Sequence, residues 1–275
     1  MENPRNYQSS LNSSAGLIKL EKHGNGIAII TINRPEALNA LTKAMFIDFA
    51  TLIKALDADR DVKVIILTGA GRAFCSGVDL TAAQDIFKGD VKNKEIDPVI
   101  QMEECSKPII GAINGFAVTA GFEIALTCDI LVASKDAKFV DTHCKFGIFP
   151  SWGLSQKLPR IIGVNRAKEL SLTGKALDAA TAERWGLVNK VVESKEVLKA
   201  AIAIAEEIVQ NQQDMVVHYK RIINDGFRLS FGDGAALEKE RAHKFYENMT
   251  SESFKSMQKY IASRASTNRQ STSKL

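Results

Sequence analysis

Cysteine is scarce in this chain. Four occur in 275 residues, at Cys75, Cys105, Cys128 and Cys144, with no CxxC pair. That excludes a disulfide framework and a structural zinc site, and it suits a reducing compartment. Long apolar runs are missing as well: no stretch of about 18 apolar residues is present, so no membrane-spanning helix is expected. The opening residues, MENPRNYQSSLNSSAG, are polar and lack the apolar core of a secretory signal. Excess charge is small, at +4, and gives no nucleic-acid footprint. The lysines are interleaved with acids, as in ALEKERAHKF, which reads as a solvated helix face. No GxxxxGK(S/T), helix-opening GxGxxG or GxSxG occurs, and His23, His143, His218 and His243 have no HExxH spacing. Nucleotide loops, the serine-hydrolase elbow and metal catalysis are therefore left without support.

What remains is an ordinary globular composition, 45% hydrophobic and 25% charged. A chain of this length buries roughly three-quarters of its extended surface, as one large α/β domain with an extension or as two domains. Residues 1–15 read as a disordered tail. LIKLEKH and IAIITIN flank Gly24-Asn25-Gly26, a hairpin signal. Thr42 should cap a helix whose apolar residues Met45, Phe46, Phe49, Leu52, Ile53 and Leu56 recur at helical spacing. VKVIILTG, KPIIGAING and DILVAS are short β-branched runs, read as strands buried on both faces, with TAGFEIALTCD as a helix between the last two. The polar stretch 81–101 reads as a mobile loop and a helix start, a candidate lid. From Gly153 the chain is mostly helical, with periodicity over 194–210 and 233–262. Strands alternating with helices predict a mostly parallel sheet followed by a helical region, the composition shifting near residue 200. Ser273-Lys274-Leu275 matches the tripeptide read by the peroxisomal import receptor, after a polar stretch expected to be exposed.

Two glycine-containing turns follow the buried strands: Ala73–Leu80 and Asn114–Glu123. Each is read as running from a strand end through glycine towards a helix start. Such places present free backbone N–H groups suited to an anion or a developing oxyanion. Two of them could aim at one carbonyl oxygen; the plainer reading is that the glycines only make tight turns. Glu123 lies in the apolar setting AGFEIAL, where burial would raise its pKa and poise it as a general acid or base. Its alternative is a helix-surface Glu. Asp79, followed by LTAA, reads as a helix N-cap.

NRPEALNAL, AFCSGVDL, INGFAVTAGFEIALTCDILVAS, FVDTHCKFGIFPSWGLSQKLPRIIG and TAERWGLVNKVV, in this order over residues 16–265, resemble the crotonase, or enoyl-CoA hydratase/isomerase, superfamily. The resemblance implies an α/β crotonase fold: a spiral of ββα units over 16–200, then a helical trimerisation region over 201–265; beyond it, the polar residues 266–275 read as a flexible tail. It implies an acyl-CoA thioester substrate, no separate cofactor, and a homotrimer or hexamer. By motif position, the oxyanion donors would be the amides of Val78 and Ala120. The family usually has Gly at the second; Ala120 keeps the N–H with a narrower φ range. Ala37, Leu38, Gly77, Asp79, Leu80 and Gly121 match substrate-lining positions.

Relatives that hydrate carry two glutamates. Glu123 matches the first, and His143 falls where the second is expected. A neutral imidazole can exchange protons at neutral pH. Asp141, two residues earlier, would point the same way on an extended strand and orient the ring. Alternatively, His143 only lines the pocket and Glu123 works alone. The implied activity is hydration of trans-2-enoyl-CoA in peroxisomal β-oxidation. The alternatives are 3,2-enoyl-CoA isomerisation and non-catalytic acyl-CoA binding. Trp152 and Phe149 read as bulk.

Overall fold

The computed structural model describes residues 16–79, 81 and 93–272. The tail over 1–15, Leu80, most of the candidate lid, the helix expected after Asp79 and the Ser273–Leu275 address lie outside the described residues.

Ten strands are present among the described residues: β1 Ile18–His23, β2 Ile27–Ile32, β3 Val64–Gly69, β4 Ala73–Cys75, β5 Ile109–Ile113, β6 Phe116–Val118, β7 Ile130–Ser134, β8 Lys138–Val140, β9 Leu177–Asp178 and β10 Lys190–Val192. The α-helices are α1 Lys43–Ala58, α2 Pro98–Glu104, α3 Ala120–Thr127, α4 His143–Phe146, α5 Leu154–Ile162, α6 Val164–Thr173, α7 Ala179–Arg184, α8 Val197–Val209, α9 Gln213–Gly226, α10 Phe231–Glu247 and α11 Ser251–Thr272.

The residues up to Val217 form one compact unit. Its larger sheet has the order β1-β2-β3-β5-β7-β10, antiparallel at the β1–β2 hairpin and parallel elsewhere. Its smaller sheet has the order β4-β6-β8-β9. Successive strands alternate between the two: β3, β5 and β7 enter the first, and β4, β6 and β8 the second. That alternation is the spiral. It also revises the two candidate turns, because a three-residue strand separates each large-sheet strand from its turn. Such short strands carry no periodicity of their own and exist only by pairing with one another. The same shortness hid β9 and β10.

Both faces of the central strands are covered. Ile65, Leu67, Ile109 and Ile113 pack into the main core with Phe49, Ile53 and Phe122. Val64, Ile66, Ile110, Ala112 and Val132 pack against Val197, Ala201 and Ala205 of α8. That burial places α8 in the first unit, so the division of the chain falls between Val217 and His218, not near residue 200. Helix α1 starts where expected: the Thr42 hydroxyl accepts from the Met45 amide at 3.3 Å, a cap worth about 1 kcal/mol. At its other end buried Lys107 donates to the carbonyls of Leu56 and Asp59, satisfying oxygens the helix leaves open.

The second unit starts at His218. Ser230 caps α10 by accepting from the Asp233 amide at 3.2 Å, and Arg241 pairs with Asp225 at 2.6 Å. Helix α11 runs to Thr272, into the stretch expected as a flexible tail; no Gly or Pro interrupts the sequence there.

Candidate active site

The first turn leaves β4 through Ser76-Gly77-Val78-Asp79. Gly77 takes φ +109°, a conformation that side chains rarely tolerate. A second segment is stapled to it. The Ser76 amide donates to Leu38 O at 3.0 Å, the Leu41 amide to Gly77 O at 2.8 Å, and the Asp79 amide to Leu41 O at 2.9 Å. Leu38 and Asn39 sit at φ 52° and 59°. Buried Asn39 holds them there, donating to Ala70 O and Ala73 O and accepting from the Arg34 amide. Ala37 and Leu38 are thereby brought to the Gly77 turn.

Asp79 is tied on two sides. Its carboxylate accepts from the Thr81 amide at 2.9 Å and hydroxyl at 2.5 Å and pairs with Arg34 at 2.5 Å. The Thr81 hydroxyl and the Arg34 guanidinium bring its pKa down to about 2. Arg34 carries no local signal in the sequence, since its partner lies 45 residues away. Cys75 beside this turn is fully buried, and burial pushes its thiol up to about 12, far from a nucleophile.

The second turn leaves β6 at Val118. Thr119 carries the unusual backbone, φ 51° and ψ −109°, and Ala120 begins α3. Ala120 itself is not at positive φ, so its Cβ brings no strain. A Cβ built on Gly77 would lie 3.7 Å from the Ala120 nitrogen, so the two turns adjoin. Neither the Val78 nor the Ala120 amide donates to another group among the described residues. Gly121 is required by contact, because a Cβ there would fall 2.0 Å from Cys75 O. That contact sets α3 directly on β4.

Glu123 comes one helical turn after Thr119, whose carbonyl accepts its amide at 2.9 Å. Its side chain is buried, at 2% exposure. Oε1 accepts from the Trp152 amide at 3.0 Å and the Leu154 amide at 3.4 Å. Oε2 faces His143 Nε2 at 3.8 Å. Burial raises the Glu123 pKa above the usual carboxylate range, against the lowering effect of those amides and of His143.

His143 is also buried, and its Nδ1 lies 2.6 Å from Asp141 Oδ1. The expected partner is present, but not through an extended strand. β8 ends at Val140, and Asp141 Oδ1 also accepts the His143 amide at 3.0 Å. The contact is made within a turn that opens α4. Burial opposes the imidazolium, yet the Asp141 bond and the charges of Glu123 and Asp141 outweigh it and hold His143 above the ordinary imidazole range. Asp141 is lowered: burial is outweighed by its bonds to His143 and Ser171.

Two contributors were not legible in the sequence. Trp152, read as bulk, supplies a backbone donor to Glu123, and its indole Nε1–H donates to Asp97 Oδ2 at 3.0 Å. For Asp97 the only local signal is its place before Pro98, an N-cap pattern. Phe149, by contrast, is exposed.

The chain matches the family model described as enoyl-CoA hydratase/isomerase over residues 22–270. It is 61% identical over 253 residues to "Probable enoyl-CoA hydratase 1, peroxisomal" of Arabidopsis thaliana, covering 92% of this chain and 96% of that protein. It is 39% identical to "Short-chain-enoyl-CoA hydratase" of Clostridium acetobutylicum, covering 80% of this chain and 86% of that one. Among solved structures, an enoyl-CoA hydratase from Bacillus anthracis superposes with a TM-score of 0.81 at 30% identity, covering 90% and 96% of the two chains. With its spiral of paired strands and a match over nearly its whole length, this chain belongs to the enoyl-CoA hydratase/isomerase family.

Proposed function

We propose that this protein is an enoyl-CoA hydratase, with Glu123 and His143 as its acid/base pair and the amides of Val78 and Ala120 as its oxyanion donors. One observation carries this reading. A buried carboxylate with one oxygen fixed by backbone amides turns the other towards an imidazole 3.8 Å away. That gap exceeds a hydrogen bond, and a water beside the pair can touch both groups at once.

The chemistry then runs as follows. A water held alongside both groups attacks C3 of a trans-2-enoyl thioester and yields its proton to the Glu123 carboxylate. Charge moves onto the thioester oxygen, where the two free amides receive it. The resulting enolate takes a proton at C2 from the His143 imidazolium, and the carbonyl re-forms. The proton on Glu123 returns to His143 before the next cycle. Asp141 keeps Nδ1 engaged, leaving Nε2 to face the substrate.

Both groups are held above their ordinary values, 4.5 for Glu123 and 6.5 for His143. The rate needs the carboxylate and the imidazolium together. It falls on the acid side as Glu123 gains a proton, above pH 4.5, and on the alkaline side as His143 loses one, above pH 6.5. These limbs belong to the pair. A kcat profile measured across this range should be bell-shaped, and His143→Gln should lose its alkaline limb.

The deciding experiment follows the absorbance of the conjugated enoyl thioester. Decay on adding the protein to crotonyl-CoA and longer trans-2-enoyl-CoAs is the expected result. Growth from a 3-enoyl-CoA without such decay makes it an isomerase. Binding with no change in either makes it an acyl-CoA carrier.

A peroxisomal setting is supported by the name of the Arabidopsis relative and by Ser273-Lys274-Leu275. A fluorescently tagged form lacking those three residues should fail to enter peroxisomes. Assembly into trimers or hexamers is supported by exposed apolar side chains of the second unit, Phe227 and Phe231 among them, and sedimentation velocity checks it.

A further inference from the structure

We propose that Asp97 is a positioning residue for Glu123, acting through Trp152. This rests on Glu123 being the acid/base group.

Asp97 uses its two oxygens for different tasks. Oδ1 accepts the amides of Val99 at 2.9 Å and Ile100 at 3.1 Å and so caps α2. Oδ2 accepts the Trp152 indole N–H at 3.0 Å. The carboxylate is buried, at 4% exposure, and no ion pair is formed by it among the described residues. Burial pushes its pKa up, against those three bonds. Keeping a carboxylate inside a protein without a cation beside it is costly. Capping alone does not call for it, since Ser or Asn caps equally well. The bond that needs the second oxygen is the one to the indole.

That bond fixes more than a side chain. Trp152 sits in the loop between α4 and α5, next to Gly153 at φ +91°. Its ring is held by Asp97 on one side and by Phe46 of α1, with centroids 5.2 Å apart, on the other. Its backbone amide, and that of Leu154, are the donors that fix Glu123 Oε1. With the ring anchored, those amides stay put, and Oε2 is the oxygen left to face His143. Without the anchor, the loop shifts and Oε1 loses donors that favour the charged carboxylate. Glu123 then becomes a weaker acid and a poorly aimed base.

Two variants cut the same bond from opposite ends. Asp97→Ser retains a cap for α2 but cannot reach the indole. Trp152→Phe retains an aromatic ring against Phe46 and the backbone amide, and leaves Asp97 untouched. The other titratable groups are common to all forms: His143 and Asp141 face Glu123, and Glu103 faces Asp97.

Each variant is expected to lower kcat about 10-fold, with KM changed less than about twofold, since a hydrogen bond to a charged group is being lost. The acid limb of the kcat profile should move to higher pH by about one unit, the equivalent of the same factor of ten. The double variant should match the singles. An acid limb unmoved in Asp97→Ser overturns the proposal, even if Trp152→Phe fails to fold. So does a double variant whose loss is the product of the singles. Glu123→Gln, run in parallel, separates the two claims. If it turns over normally, the reading of Glu123 fails. If it is inactive while the acid limb of Asp97→Ser stays in place, only the role of Asp97 fails.

Discussion

Glu123→Gln should slow hydration of crotonyl-CoA about 10³-fold, within the range that a positioned acid/base group contributes. Binding of a CoA thioester, read by calorimetry, should be unchanged. The physical reason is the narrowness of the change. Gln is nearly isosteric with Glu, and its carbonyl oxygen can still accept the amides of Trp152 and Leu154. What disappears is the ability of the other terminus to take a proton from water. Turnover undiminished in this variant would remove Glu123 from the mechanism and leave His143 as the sole candidate base.

Gly121→Ala should be a severely damaging single methyl in the site. The added carbon would lie 2.0 Å from Cys75 O, 2.7 Å from its carbonyl carbon and 2.9 Å from its Cβ. Two of these are backbone atoms of a paired strand, so no side chain can swing aside. Either α3 lifts off β4 or the strand pairing opens, and a loss of about 3 kcal/mol in stability is expected from such overpacking. Because α3 carries both the Ala120 amide and Glu123, any protein that still folds should also have lost most of its activity. Gly232→Ala is the matched control. Gly232 lies in α10, with nothing nearer to a built Cβ than Ser230 Oγ at 4.0 Å, and Ala there should stabilise slightly. Urea denaturation of the two variants decides the comparison. Equal midpoints would mean that β4 and α3 are not locked together through Gly121.

Local signals carried much of the architecture. The Gly24-Asn25-Gly26 hairpin, the Thr42 cap and the β-branched runs of β3, β5 and β7 all declare themselves within about ten residues, because turn chemistry, capping and side-chain period act at that range. The second sheet could not be read this way. β4, β6 and β8 have three residues each and are stabilised by partners about 20 to 45 residues away. The site divides along the same line. Glu123 is conspicuous as a carboxylate in an apolar helix, and Asp141 is legible because it is two residues from His143, although a turn and not a strand brings them together. The donors to Glu123 are main-chain amides 29 and 31 residues away, a relation that no side-chain pattern encodes. The Ala at position 120 raised a question of φ freedom that the backbone answers one residue earlier, at Thr119.

The Asp141–His143 turn has a wider consequence. The ring and the carboxylate that steadies it belong to one three-residue stretch, so the imidazole brings its own support. A steadied imidazole at this spot therefore asks little of the rest of the chain, with Ser171 the one distant group bonded to its carboxylate among the described residues. Edits confined to those three residues would alter the proton chemistry while leaving the paired strands of both sheets untouched.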